Sequence, residues 1–291
     1  MAFSRSAATL LAVLVLFPGT AIPARGQCET CREPRAGRDG LALAANALLG
    51  GATAAVRARM HGRPVLRALA GGAAGGALTY AGKRVAVERA RCAGFAGREL
   101  AALGTSLSSN AAEGRGALDR LVLPAGPVRL YLYPRGHGPL LRARVDLAAL
   151  TAVAYAAASP GSRFDAAESL SSGAMVFRVR GELGELPYEA RHAAGVVQVR
   201  DGEDPARVAR ASAHERVHVV QYDQTFLLWA APAEAAVMAR ARWTRGLHRW
   251  ADVGVNAPAL AAMGALLPYR AQPWEAEADY LSVTPLGAGT R

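Results

Sequence analysis

Residues 214 to 218 read His-Glu-Arg-Val-His, an H-E-x-x-H spacing. Four residues advance a helix by just over one turn, so His214 and His218 share a face and can close on one tetrahedral Zn²⁺ at about 2.0–2.1 Å. Glu215 is turned about 100° from His214, which sets its carboxylate beside such a metal, where it can take a proton from water. Gln221 lies on the face of His218, three residues on, and is a candidate hydrogen-bonding partner for that ring.

A catalytic zinc needs a third protein ligand. The form with a third histidine is excluded, because it requires glycine at 221 and histidine at 224, where Gln221 and Gln224 stand. The carboxylates after His218 are Asp223, Glu234, Asp252, Glu275, Glu277 and Asp279, and the last three cluster in a short helix opened by Pro273. On such a helix Glu275 and Asp279 share a face, while Glu277 points nearly opposite.

His214-Glu215-x-x-His218 followed 57 residues later by Glu275-x-x-x-Asp279 resembles the gluzincin group of zinc metallopeptidases. The resemblance covers roughly the last 90 residues. It implies that His214, His218 and Glu275 are the zinc ligands, Glu215 the general base and Asp279 the partner of a motif histidine, with Gln221 as a further supporting residue. The activity implied is peptide hydrolysis on a peptide or protein substrate, by a zinc-activated water. The resemblance does not assign the residue that stabilises the oxyanion; Tyr222, Tyr269, Tyr280 and His248 are the candidates.

The elements that must position these residues can be read from periodicity. The motif helix is expected to start at Asp204 as N-cap with Pro205 at its first position. Pro232, Pro258, Pro268 and Pro273 are expected to cut the rest of the chain into four short helical pieces. Before the motif, residues 128–133, 141–145, 175–179 and 196–199 read as half-buried strands of one small mixed sheet, with a helix at 146–158 capped by Asp146. The strand at 196–199 is the expected edge to which an extended peptide adds. Upstream, uncharged runs at 40–56 and 68–82 flank a basic stretch and predict a helical hairpin whose glycines permit close approach. A further helix is expected over 84–107, with a boundary in the Ser/Asn/Gly-rich segment 106–116. The fold class is thus α+β, predominantly helical, with a small mixed sheet before a zincin-like active-site helix. The expected organisation is a signal peptide at 1–26, a Gly/Ala-rich hairpin region at 27–116 and a zincin-like metallopeptidase domain at 117–291.

With 291 residues and 52% of them apolar, the chain can bury a sizeable core, which argues against disorder. Its net charge of +11 rests on arginine, Lys83 being the sole lysine, and that bias suits genomic base composition better than a nucleic-acid partner, so none is expected. Arg5, the apolar run 7–17 and Ala24-Arg25-Gly26 have the form of a secretory signal, which places the chain outside the cell or in the periplasm or envelope. Export permits disulfides, and a bond from Cys28 or Cys31 to Cys92 is expected. A reading from another class competes with the enzyme: a non-catalytic envelope-associated protein whose hairpin, residues 40–82, binds a membrane surface or a partner.

Overall fold

The computed structural model describes residues 35–135, 139–180, 190–201, 204–268 and 272–283. The expected signal peptide, Cys28, Cys31 and Tyr269 lie outside these. The architecture is mixed α/β, mainly helical, with two small mixed sheets.

The hairpin forms as α1 (Arg35–Met60) and α2 (Val65–Ala86), and a third helix, α3 (Ala93–Ala112), packs beside α2. Glycine decides how close they come. A Cβ at Gly76 would stand 2.8 Å from the Asn46 carbonyl carbon, and one at Gly97 would stand 2.6 Å from the Ala86 Cα. Two sequence expectations are corrected here. The stretch 84–107 is split, because the chain turns before Ala93 with Cys92 in the left-handed region at φ 63°. The helix expected to end at 107 also runs further, because the polar side chains of the segment from 106 lie inside. Ser108 Oγ donates to Gly72 O at 2.9 Å, Ser106 Oγ accepts from Val122 N at 3.0 Å, and Asn110 Nδ2 donates to Ala117 O and Arg120 O. Such bonds satisfy buried polar groups, so the helix runs on to Ala112.

The strands fall into two sheets where one was expected. β1 (Leu121–Ala125), β2 (Val128–Leu132), β3 (Leu141–Asp146) and the two-residue β8 (Ala251–Asp252) form the first, antiparallel except for β3 beside β8. Asp146 caps α4 (Leu147–Ala158) by accepting from Ala148 N and Ala149 N, as its position predicts. This helix carries the chain to the second sheet, of β4 (Ser162–Phe164), β5 (Met175–Val179), β6 (Ala190–Ala193) and β7 (Val196–Arg200), with α5 (Ala166–Ser172) between β4 and β5. The order is β4-β5-β7-β6, with β5 and β7 parallel. The strand at 196–200 is therefore internal, and the edge on that side is β6. β7 is buried on both faces, as a central strand must be, with Val197 and Val199 on one and Val196 and Gln198 on the other.

The motif helix α6 (Pro205–Thr225) starts on Asp204, whose side chain accepts from Ala206 N. It is wrapped on three sides. Ala213 and Val217 share a core with Ala42 of α1, Tyr80 of α2, and Ala278 and Leu281 of α10 (Pro273–Val283). Val219 meets Val176, Val197 and Val199 of the second sheet, and Val220 meets Ala86 and Ala101. Pro232 does not cut the chain as expected. The π turn Phe226–Ala230 leads straight into α7 (Ala231–Met238), and the Leu228 carbonyl, four residues before the proline, accepts instead from Arg57 Nη1 at 3.3 Å. α8 (Arg242–Leu247) and α9 (Asn256–Leu266) complete the chain before α10.

Candidate metal centre

α6 and α10 pack against each other and bring the two motif histidines to Glu275. His214 Nε2 and His218 Nε2 stand 2.9 Å apart, and Glu275 Oε2 lies 3.2 Å from the first and 3.1 Å from the second. All three side chains are largely buried, at 12–13% exposure.

The far sides of the rings fix what these atoms are. His214 Nδ1 faces Asp279 Oδ1 at 3.1 Å, and a carboxylate can only accept from it. His218 Nδ1 faces Gln221 Oε1 at 2.7 Å. The Gln221 amide is oriented by its other end, since Nε2 donates to Trp274 O at 3.0 Å and to Glu277 Oε2 at 2.8 Å. Both Nδ1 atoms are thus donors, and in neutral rings both Nε2 atoms present lone pairs to each other and to the carboxylate. Three acceptors converging in this way need a cation between them, and two imidazoles with one carboxylate are a donor set suited to zinc. Without metal a proton takes that place. Burial opposes the charged ring, but the bonds to Asp279 and Glu275 outweigh it and carry His214 up to about 10; His218 is raised likewise by Glu275.

Glu215 lies on a different face of α6 and is 9% exposed. Among the described residues nothing hydrogen-bonds its carboxylate, and burial raises its pKa against the pull of both histidines. A desolvated carboxylate with open lone pairs beside two imidazoles is a competent base.

Glu277 is not turned to water: its side chain is 17% exposed. It does point away from the histidines, but into the hairpin: Lys83 Nζ donates to Oε2 at 2.8 Å and Asn46 Nδ2 to Oε1 at 2.7 Å, while Lys83 also reaches Asn46 Oδ1 at 2.9 Å. Burial raises its pKa, yet the Lys83 charge and these bonds prevail and hold it below the ordinary carboxylate range. A lone lysine in an arginine-rich chain was the available signal, though nothing local ties it to residue 277.

Sequence reasoning also missed His192. On β6, its ring stacks on His218 with centroids 6.1 Å apart, and its Nε2 accepts from Gly195 N. Burial and the nearby charges of His218 and Arg98 lower it to about 3, so it is neutral. The described oxyanion candidates are engaged elsewhere. Tyr222 donates to Asp146, Tyr280 donates to Asp39, and His248 meets Arg144 beside Glu234 and Asp252. That second acidic group is already satisfied: Glu234 accepts three backbone N–H groups, and Asp252 accepts from Tyr131 and Arg144.

No protein-family model, curated protein or solved structure matches the chain.

Proposed function

We propose that the chain is an exported zinc-dependent metallopeptidase of the gluzincin type, with a zincin-like helix at its centre. The observation that carries this reading is the convergence of His214 Nε2, His218 Nε2 and Glu275 Oε2 within about hydrogen-bonding distance of one another, with both Nδ1 atoms held from behind. Zinc bound there supplies Lewis acidity toward water and a peptide carbonyl. Glu215 takes the proton that the attacking water gives up and returns it to the departing amine. Asp279 and Gln221 keep the two rings in the tautomer that leaves Nε2 free. The edge strand β6 lies against this centre through His192 and offers its backbone to an extended peptide or unfolded protein, the substrate class proposed.

The test is metal content and hydrolysis of an unstructured protein by the purified chain. Stoichiometric zinc and turnover are expected for the wild type, zinc without turnover for Glu215→Gln, and neither for Glu275→Ala. A zinc-free wild type, or undiminished turnover by Glu215→Gln, would overturn the reading.

The competing reading is a non-catalytic envelope protein that binds a membrane surface through residues 40–82. It draws on Leu41, Leu48 and Leu66, exposed at 47%, 64% and 80%, and on α1 being long and apolar enough to span a bilayer while 44% of its apolar window is buried. It is distinguished by metal without turnover in the wild type itself.

A further inference from the structure

The metal ligands alone do not explain why the glycine-rich hairpin sends two polar side chains to the back of α10. Asn46 is 5% exposed and Lys83 2%, and they come from helices 231 and 194 residues before their common partner, Glu277. Burying a lysine against a carboxylate is costly unless both ions are fully bonded, and replacing such a pair with apolar residues is often neutral or stabilising. An ion pair kept in this position therefore invites a reason other than stability.

The bonds continue in one direction. Glu277 Oε2 accepts from Lys83 on one side and from Gln221 Nε2 on the other, at 2.8 Å each, and the same amide presents Oε1 to His218 Nδ1 at 2.7 Å. An anion bonded to the N–H end of an amide polarises it and makes its oxygen a stronger acceptor. The stronger that acceptor, the more electron density His218 Nε2 can offer to a metal. His214 has a carboxylate, Asp279, directly at its Nδ1. His218 has one at a single remove.

We propose that Lys83, Asn46 and Glu277 are positioning residues for the metal centre. Together they lock Gln221, and through it orient His218 and raise its basicity, so that the glycine-rich hairpin is a working part of the site. This rests on the metal reading. It also gives the close helix approach a purpose, because Asn46 and Lys83 meet only where α1 and α2 come close at Gly76.

Zinc affinity by chelator competition, the visible spectrum of the cobalt(II)-substituted chain, and melting temperature would be measured for Glu277→Gln and for the double variant Lys83→Met/Glu277→Gln, each in the wild-type and Gln221→Met backgrounds. The double variant removes both buried charges and keeps the protein foldable if Glu277→Gln alone leaves Lys83 stranded. The expected result is a loss of about tenfold or more in zinc affinity and a shifted cobalt spectrum in both variants, with the double variant melting near the wild type. In the Gln221→Met background, where the route to His218 is already cut, the same changes should have little further effect. A merely structural role predicts altered melting with affinity and spectrum unchanged, and that result would overturn the proposal. So would an equal loss with and without Gln221. If the wild type binds no zinc, the metal reading itself falls and takes this one with it, whereas a zinc-binding wild type with unaffected variants removes this inference alone.

Discussion

Gly76→Ala and Gly40→Ala are the same chemical change in two helix interiors, and they should move stability in opposite directions. Alanine is favoured over glycine by about 1 kcal/mol in a helix interior. At Gly40 the new methyl meets nothing within 4 Å, so most of that gain is realised, and a stabilisation of roughly 0.5–1 kcal/mol is expected. At Gly76 the methyl would stand 2.8 Å from the Asn46 carbonyl carbon and 3.0 Å from the Ala47 Cα. These are backbone atoms that cannot rotate aside, so α1 must back away. Overpacking of this kind costs about 1–3 kcal/mol. Separating α1 from α2 also stretches the Asn46–Lys83–Glu277 bonds, and a buried polar group left short of a partner costs a further 1–3 kcal/mol or so. After the propensity gain the expected net destabilisation is about 1–5 kcal/mol. Urea unfolding followed by far-UV circular dichroism, with a shared slope for both variants, measures the difference. A Gly76→Ala protein as stable as the wild type would refute the argument that backbone contact sets the spacing of these helices.

The metal-free centre should bind zinc with proton release, because the proton that holds His214 up to about 10 must leave; affinity should rise about tenfold per pH unit above neutrality for one proton displaced, and calorimetry in buffers of different ionisation enthalpy counts it. For the same reason the metal-free chain gains stability from His214 fully below its ordinary value of 6.5 and loses it as pH rises toward 10, so a melting temperature that climbs over that window would contradict the assignment. Asp279→Ala should weaken zinc binding about 10–100-fold without abolishing it, read by chelator competition, since it frees the His214 ring but removes no ligand. Arg98→Met should destabilise by about 3–5 kcal/mol in urea, because it strands Asp223, which Arg98 Nε meets at 2.7 Å in a buried pair.

The sequence by itself determined what depends on near neighbours. The spacing of His214 and His218 places two rings on one face whatever surrounds the helix, and Asp146, Asp204 and Pro205 start their helices because capping is satisfied within three residues. The strands near 128, 141, 175 and 196 were legible from alternation, and the hairpin from its two uncharged runs on either side of a basic stretch. Only the tertiary structure decided which faces meet. The pleat of residues 196–200 is the same in an edge strand or a central one, so pairing with both β5 and β6 was invisible locally. Ser108 and Asn110 resemble loop formers until their partners on α2 and beyond Gly116 are known. Glu277 is two residues from Glu275, and helical geometry turns it away from the two histidines. Whether that direction holds water or a buried lysine depends on a helix 194 residues earlier in the chain, and no local rule reaches that far.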